Sequence, residues 1–250
     1  MASADFRFHD RLNDFLPPAS RDGNIRRDVS RRAAIKDVIE SLGIPHTEVD
    51  VILVDGASVD FDHILAGGEH VKVYPWTTAP SEARHLRPRP PSCPRFLLDA
   101  QLGRLARYLR MLGFDCHYHN DIGDAELAAR AEEQGRILLT RDRNLLKRKR
   151  IRLAHYVRAD APWQQVEEVC SEFDLAPAFA PFTRCTQCNG RLIPVDKADI
   201  IDRLEPLTRR YVEDFLQCEG CGQLYWHGSH VSPMEARVEQ LRQTLAQPSE

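Results

Sequence analysis

The chain has 250 residues, 42% of them hydrophobic and 28% charged, with a formal net charge of −3. These values are ordinary for a soluble globular protein of one to three domains with ample core. No apolar run approaches the roughly 20 residues of a membrane span, and the start MASADFRFHDRL lacks a signal peptide's apolar core, so the expectation is a cytoplasmic protein with no membrane partner.

Ser3 to Phe8 alternates as a strand, and Val29 to Leu42 is expected to be a helix with Ala33, Ala34, Val38 and Ile39 inward, ended by Gly43-Ile44-Pro45. Val51 to Val54 and Ser58 to Phe61 suit a hairpin about Asp55-Gly56, and Gly67-Gly68 precedes a last strand, Val71 to Tyr74. Strands around one helix make a small α+β domain over residues 1–78. The stretch VILVDGASVDFDHILAGGEHVKVYP is similar to the ubiquitin-like fold of bacterial sulfur-carrier proteins. Such carriers end in an exposed Gly-Gly, whereas Gly67-Gly68 is an internal turn. That departure argues against sulfur transfer and for a docking or RNA-positioning module, whose protein partner the sequence does not name. Residues 79–94, APSEARHLRPRPPSCP, are Pro- and Arg-rich and read as an extended linker.

Phe96-Leu97-Leu98 reads as a buried strand followed by Asp99, after which Leu102, Leu105, Ala106, Leu109 and Leu112 recur at helical spacing up to Gly113. Cys116 to His119 is a second strand, closed by Asn120-Asp121-Ile122-Gly123-Asp124. A helix from Ala125 to Gln134 then leads to a third strand, Arg136 to Thr140, with Asp142 just beyond it. Strand, helix, strand, helix, strand at this spacing implies a parallel sheet, whose strands share one carboxyl edge. Asp99, Asp121 or Asp124, and Asp142 are therefore expected along that edge, where crowded carboxylates suit a hard divalent cation. Asp124 and Asp142 also suit the start of a helix, and the two roles are compatible.

Charge is uneven along the chain. Residues 84–110 carry 7 arginines against Asp99 alone, and residues 141–158 carry 8 basic residues against Asp142 alone. Positive charge beside an acidic crevice is what steering of a polyanion requires, although a run such as Lys147-Arg148-Lys149-Arg150 can equally be a solvated face. Arg152 to Val157 is a further strand, and Ala161 to Phe173 an amphipathic helix with Trp163, Val166 and Val169 inward.

Cys185-x-x-Cys188 and Cys218-x-x-Cys221 each present two thiols from a tight turn, and together they suit the tetrahedral shell of a structural zinc. Redox-active pairs would need a thioredoxin-like context, which is missing. Gly190 and Gly222 allow the turns, Pro206 to Phe215 reads as a helix, and Met234 to Ala246 as a charged terminal helix. Cys93, Cys116 and Cys170 are left as ordinary thiols.

Asp99 with Leu102-Gly103-Arg104-Leu105-Ala106-Arg107-Tyr108-Leu109-Arg110, Asn120-Asp121-Ile122 with Asp124, and Ile137-Leu138-Leu139-Thr140-Arg141-Asp142-Arg143 resemble the PIN-like ribonuclease domain of the mutator-seven C-terminal RNase family. Val195-Asp196-Lys197 and Tyr225-Trp226-His227-Gly228-Ser229-His230 resemble its ribbon. The resemblance implies an α/β protein: a ubiquitin-like domain at 1–78, a linker at 79–94, a PIN-like nuclease domain at 95–180, a zinc ribbon at 181–232 and a terminal helix at 233–250. It implies hydrolysis of RNA with Mg²⁺ or Mn²⁺ on Asp99, Asp124 and Asp142, with Asp121 a further acidic position. Arg104, Arg107, Arg141 and Lys147 are the phosphate-contact candidates, with structural zinc on Cys185, Cys188, Cys218 and Cys221. Many PIN-like nucleases pair up, so a homodimer is in keeping with it. One departure stands out: many PIN domains have a further acid two residues after the Thr-x-Asp aspartate, where this chain has Asn144. That favours an alternative, a non-catalytic RNA-binding adaptor with the same ribbon.

Overall fold

The computed structural model describes residues 2–228 and 231–246. Ser229 and His230, part of the expected ribbon ending, lie outside the described residues. Contacts divide the chain into two compact units: Met1–Pro90 with Ile122–Tyr156, and Pro91–Asp121 with Val157–Glu250.

The amino-terminal segment forms β1 (Ser3–Phe8), β2 (Asn24–Asp28), α1 (Ile35–Ser41), β3 (Val51–Val54), β4 (Ala57–Ser58) and β5 (His70–Tyr74), in sheet order β2-β1-β5-β3-β4. β1 and β5 run parallel at the centre, and the other pairings are antiparallel. Alternation in β1 sends Ala4, Phe6 and Phe8 into a core with Ile35, Ile39, Ile52 and Val73. The turn at Asp55-Gly56 forms as expected, both residues at positive φ, the twist that a two-residue turn between antiparallel strands needs, but its second strand is Ala57–Ser58 and not Ser58 to Phe61. Two further expectations are corrected. The helix begins at Ile35, not Val29. Residues 24–28, read as no element, are an edge strand on β1, and its mostly exposed NIRRD pattern carries no apolar signal.

Residues 80–87 of the supposed linker are strapped to this domain. Leu86 N–H donates to the Asp50 carbonyl at 2.7 Å, while the buried Asp50 carboxylate accepts from Arg87 N–H and from His85 Nδ1. Arg84 reaches Asp60 at 2.7 Å. A buried carboxylate has to be hydrogen-bonded, and here this segment supplies the donors.

Next come β6 (Phe96–Leu98), α2 (Gly103–Met111) and β7 (Cys116–Tyr118), with β6 and β7 parallel. Gly113 ends α2 at φ +99°, and a Cβ there would stand 2.3 Å from the Ala180 carbonyl oxygen. Gly113→Ala is therefore expected to destabilise the fold by about 2 to 4 kcal/mol, read as a lowered denaturant midpoint; an unchanged midpoint would contradict the close approach.

α3 (Asp124–Gln134) crosses to β8 (Ile137–Thr140), α4 (Arg143–Leu146) follows, and β9 (Ala154–Tyr156) pairs parallel with β8. β8 is buried at every position, as a strand covered on both faces should be. This segment belongs with the ubiquitin-like sheet: Tyr156 packs against that domain's core, and its N–H donates to buried Glu48 at 2.7 Å. Arg87 Nη2 donates to the Ala154 carbonyl at 2.8 Å.

α5 (Pro162–Glu172) packs on α2, with Val166, Val169 and Cys170 buried. β10 (Leu192–Val195), α6 (Lys197–Ile200), α7 (Pro206–Tyr211), β11 (Phe215–Cys218) and β12 (Leu224–Trp226) complete the ribbon, an antiparallel sheet in the order β10-β11-β12, before α8 (Val231–Ala246), which contacts α5. The helix expected to reach Phe215 stops at Tyr211, since Val212 is extended and Phe215 already belongs to the sheet. Trp163 is half-buried under the Arg237 guanidinium, 4.1 Å from the ring centroid, and edge-on to Tyr108.

Candidate functional site

Each aspartate singled out by sequence sits at or just beyond a strand end or at the start of a helix. Asp99 follows β6, is 7% exposed, and accepts Gln101 N–H at 3.0 Å, so it caps the 3-10 turn of residues 100–102. Asp121 lies exposed on the bend after β7. Asp124 opens α3, where Gly123 is the cap and the carboxylate lies in the first turn; Arg148 pairs with it at 3.5 Å, both side chains nearly half exposed. Asp142 caps α4 by accepting Asn144 N–H at 2.7 Å, and its own N–H donates to Thr140 Oγ1 at 2.9 Å. The hydroxyl of Thr140 thus holds the Asp142 backbone.

Arg104 and Arg107 are exposed on α2, and Arg141 is half-buried. Lys147 Nζ donates to the Glu40 carbonyl at 3.0 Å, Arg143 stacks on Phe15 and Tyr156, and Arg150 pairs with Glu132 at 3.7 Å. The basic run after Asp142 is therefore partly engaged within its own unit, which reduces the charge it offers to a polyanion.

Gly103, the first residue of α2, has no room for a side chain. A Cβ would meet the Tyr118 ring at 2.9 Å, and the Tyr118 hydroxyl donates to the Ala100 carbonyl at 3.0 Å. The turn after Asp99 is thereby fastened to β7.

Among the described residues, Cys185, Cys188, Cys218 and Cys221 bring their sulfurs within 4.8 Å of one another, a group able to hold a metal. Cys185 and Cys221 sulfurs are 3.7 Å apart and those of Cys188 and Cys218 3.3 Å. A tetrahedron with 2.3 Å metal–sulfur arms has edges of about 3.8 Å, so the shell fits. Backbone N–H groups of Cys188, Gly190 and Gly220 point at the sulfurs of Cys185, Cys188 and Cys218, and the Tyr225 hydroxyl touches Cys185 at 3.1 Å. Burial opposes ionisation of Cys185, but the Tyr225 hydroxyl, the backbone N–H groups of Cys188 and Gln187 and the Cys188 thiol outweigh it and bring its pKa to about 6. Gly190 is needed for space rather than for turn geometry, because a Cβ there would lie 2.8 Å from Cys218 Sγ; the left-handed residue of that turn is Asn189, at φ +73°.

Residues 94–238 match the family model described as the Mut7-C RNAse domain. The chain belongs to that family.

Ahead of the Mut7-C RNAse domain, residues 1–80 match the Mut7-C ubiquitin model, in the order expected from sequence. No curated protein matches the chain. Two structures of small archaeal modifier protein 1 from Haloferax volcanii are similar at 18% and 17% identity, covering 30% and 31% of this chain and 98% and 99% of their own, each with a TM-score of 0.25.

Sequence reasoning missed the residues that join the cysteine cluster to the first half of the Mut7-C RNAse domain. Arg110, 6% exposed, donates through Nε to the Cys116 carbonyl and through Nη1 to those of Thr186 and Gln187. Asn189 accepts Cys116 N–H at 2.9 Å and donates to Asp115 at 2.8 Å. Arg110 did leave a signal: it stands four residues after Ala106, on the helix face that the leucines bury.

Proposed function

We propose that this chain is a metal-dependent ribonuclease that hydrolyses RNA phosphodiester bonds. The observation that carries the reading is the family match over residues 94–238, which supports a nuclease of some kind; RNA as substrate and the catalytic metal are this proposal's own. Asp99, Asp124 and Asp142, with Asp121, supply hard oxygen donors, the donor set suited to Mg²⁺ or Mn²⁺. Such a cation, when bound, lowers the pKa of a water and polarises the phosphate. The chain's own part is to fix the carboxylates: Asp99 and Asp142 are each held by a backbone N–H two residues on. Arg104, Arg107 and Arg141 contact phosphates, for which guanidinium forks are well matched, and Lys147, held at the Glu40 carbonyl, adds its positive charge. Zinc on the four cysteines is structural, because a filled sulfur shell leaves no position for water. A thiolate quartet belongs in a reducing compartment, which fits a cytoplasmic location. The ubiquitin-like domain binds a further protein.

The test is cleavage of single-stranded RNA with Mn²⁺. Wild type should cut, and Asp142→Asn should lose at least about 100-fold. Undiminished cleavage by that variant removes the site. The second reading, an RNA-binding adaptor, is favoured by Asn144 in place of an acid and by Arg148 paired with Asp124. RNA binding without cleavage under either Mg²⁺ or Mn²⁺ would select it.

A further inference from the structure

Asp142 caps a helix of only four residues, α4. So short a helix cannot hold itself, since nucleation costs more than its few hydrogen bonds return. The Asp142 carboxylate therefore depends, besides Thr140 and the Asn144 N–H, on what anchors α4: Leu145 and Leu146 are buried against β8 and β9, and both ends of the helix are held on the ubiquitin-like domain. At the start, the Arg143 guanidinium lies 5.0 Å from the Phe15 ring centroid and 5.3 Å from that of Tyr156. It also donates to the carbonyls of Phe15 and Asp14, each at 3.4 Å. At the far end Lys147 Nζ meets the Glu40 carbonyl in the last turn of α1. Beyond α4, His46 Nε2 lies 3.2 Å from the Ile151 carbonyl, and Glu48 takes the Tyr156 N–H.

We propose that the ubiquitin-like domain is a positioning element of the nuclease, in which Phe15 and Arg143 hold the Asp142 turn in its metal-binding orientation. The inference rests on the assignment of Asp142 as a metal ligand. Phe15 is 4% exposed and edge-on to Tyr156, so the stack is rigid, and Arg143 is fixed by ring faces and carbonyls together. The domain then acts without touching RNA.

The experiment uses the full zinc-loaded chain. Phe15→Leu keeps most of the buried apolar volume and removes the ring face; Arg143→Met keeps the length and removes the guanidinium. Mn²⁺ binding is followed by loss of the free-ion electron paramagnetic resonance signal, at a temperature where circular dichroism shows every variant folded. Each single variant should weaken Mn²⁺ affinity about five- to tenfold, and the double variant should be no weaker than the worse single, because both remove the same stack. Zinc content should not change. Wild-type affinity in both singles overturns the inference, as do losses that simply add in the double variant. In either case, abolished binding in Asp142→Asn leaves the metal assignment standing. If wild type takes up no Mn²⁺, the nuclease reading itself falls and this inference falls with it.

Discussion

Asp99→Asn is expected to lower Mn²⁺-dependent RNA cleavage by about 10²- to 10⁴-fold while leaving the melting temperature nearly unchanged. The two halves of that expectation have different causes. Asparagine keeps a side-chain oxygen to accept the Gln101 N–H, now 3.0 Å away, and Asn and Asp are about equal as caps. The turn after β6 should therefore survive. What is lost is a charge at a position only 7% exposed, and with it a donor for a hard cation. Steady-state kcat/KM on single-stranded RNA, set beside a thermal melt, separates the outcomes. A variant that melts normally and cleaves normally would remove Asp99 from the site.

Cys185→Ser should be the most damaging change to the fold. Structural zinc in small sulfur sites contributes on the order of 10 kcal/mol of folding free energy, and the ribbon has little else to rely on. Its own buried cluster is Ile200, Leu204, Phe215 and Leu224, with Val195 and Val212 packed against it, too few side chains to hold three short strands. The damage should also reach α2, because the buried Arg110 guanidinium donates to the carbonyls of Cys116, Thr186 and Gln187, and a loosened knuckle would take the last two acceptors away. Zinc content by atomic emission and near-ultraviolet circular dichroism report the two effects. Full zinc retention with an unchanged spectrum would overturn the structural role.

The parts of the fold that were legible in sequence are those written in periodicity or fixed spacing. Leu102, Leu105, Ala106 and Leu109 announce α2, Phe96 to Leu98 and Ile137 to Thr140 announce buried strands, and two C-x-x-C pairs announce a metal shell. What was not legible depends on tertiary partners. β2 is polar because it is an exposed edge, so its identity comes from pairing with β1 rather than from its own residues. The straps from His85 to Arg87 look like free linker until buried Asp50 is seen to accept from them. Of the candidate site, the aspartates could be named from their places at strand ends, but Arg143 gave no hint that it stacks on Phe15, 128 positions earlier.

The strapping of residues 84–87 bears on how such a two-part gene can evolve. A slack tether would let the front module swing as an arm, be traded for another, or be trimmed away. Here the crossing segment is itself mortar, with Asp50 gripping it on one side and Arg87 reaching the Ala154 carbonyl on the other. A fragment beginning at residue 94 would bare Tyr156 to water and strip Tyr156 N–H of its acceptor, Glu48. The first eighty residues and residues 122–156 are therefore heritable as a single piece, and a descendant that shed the former would have to resurface the latter.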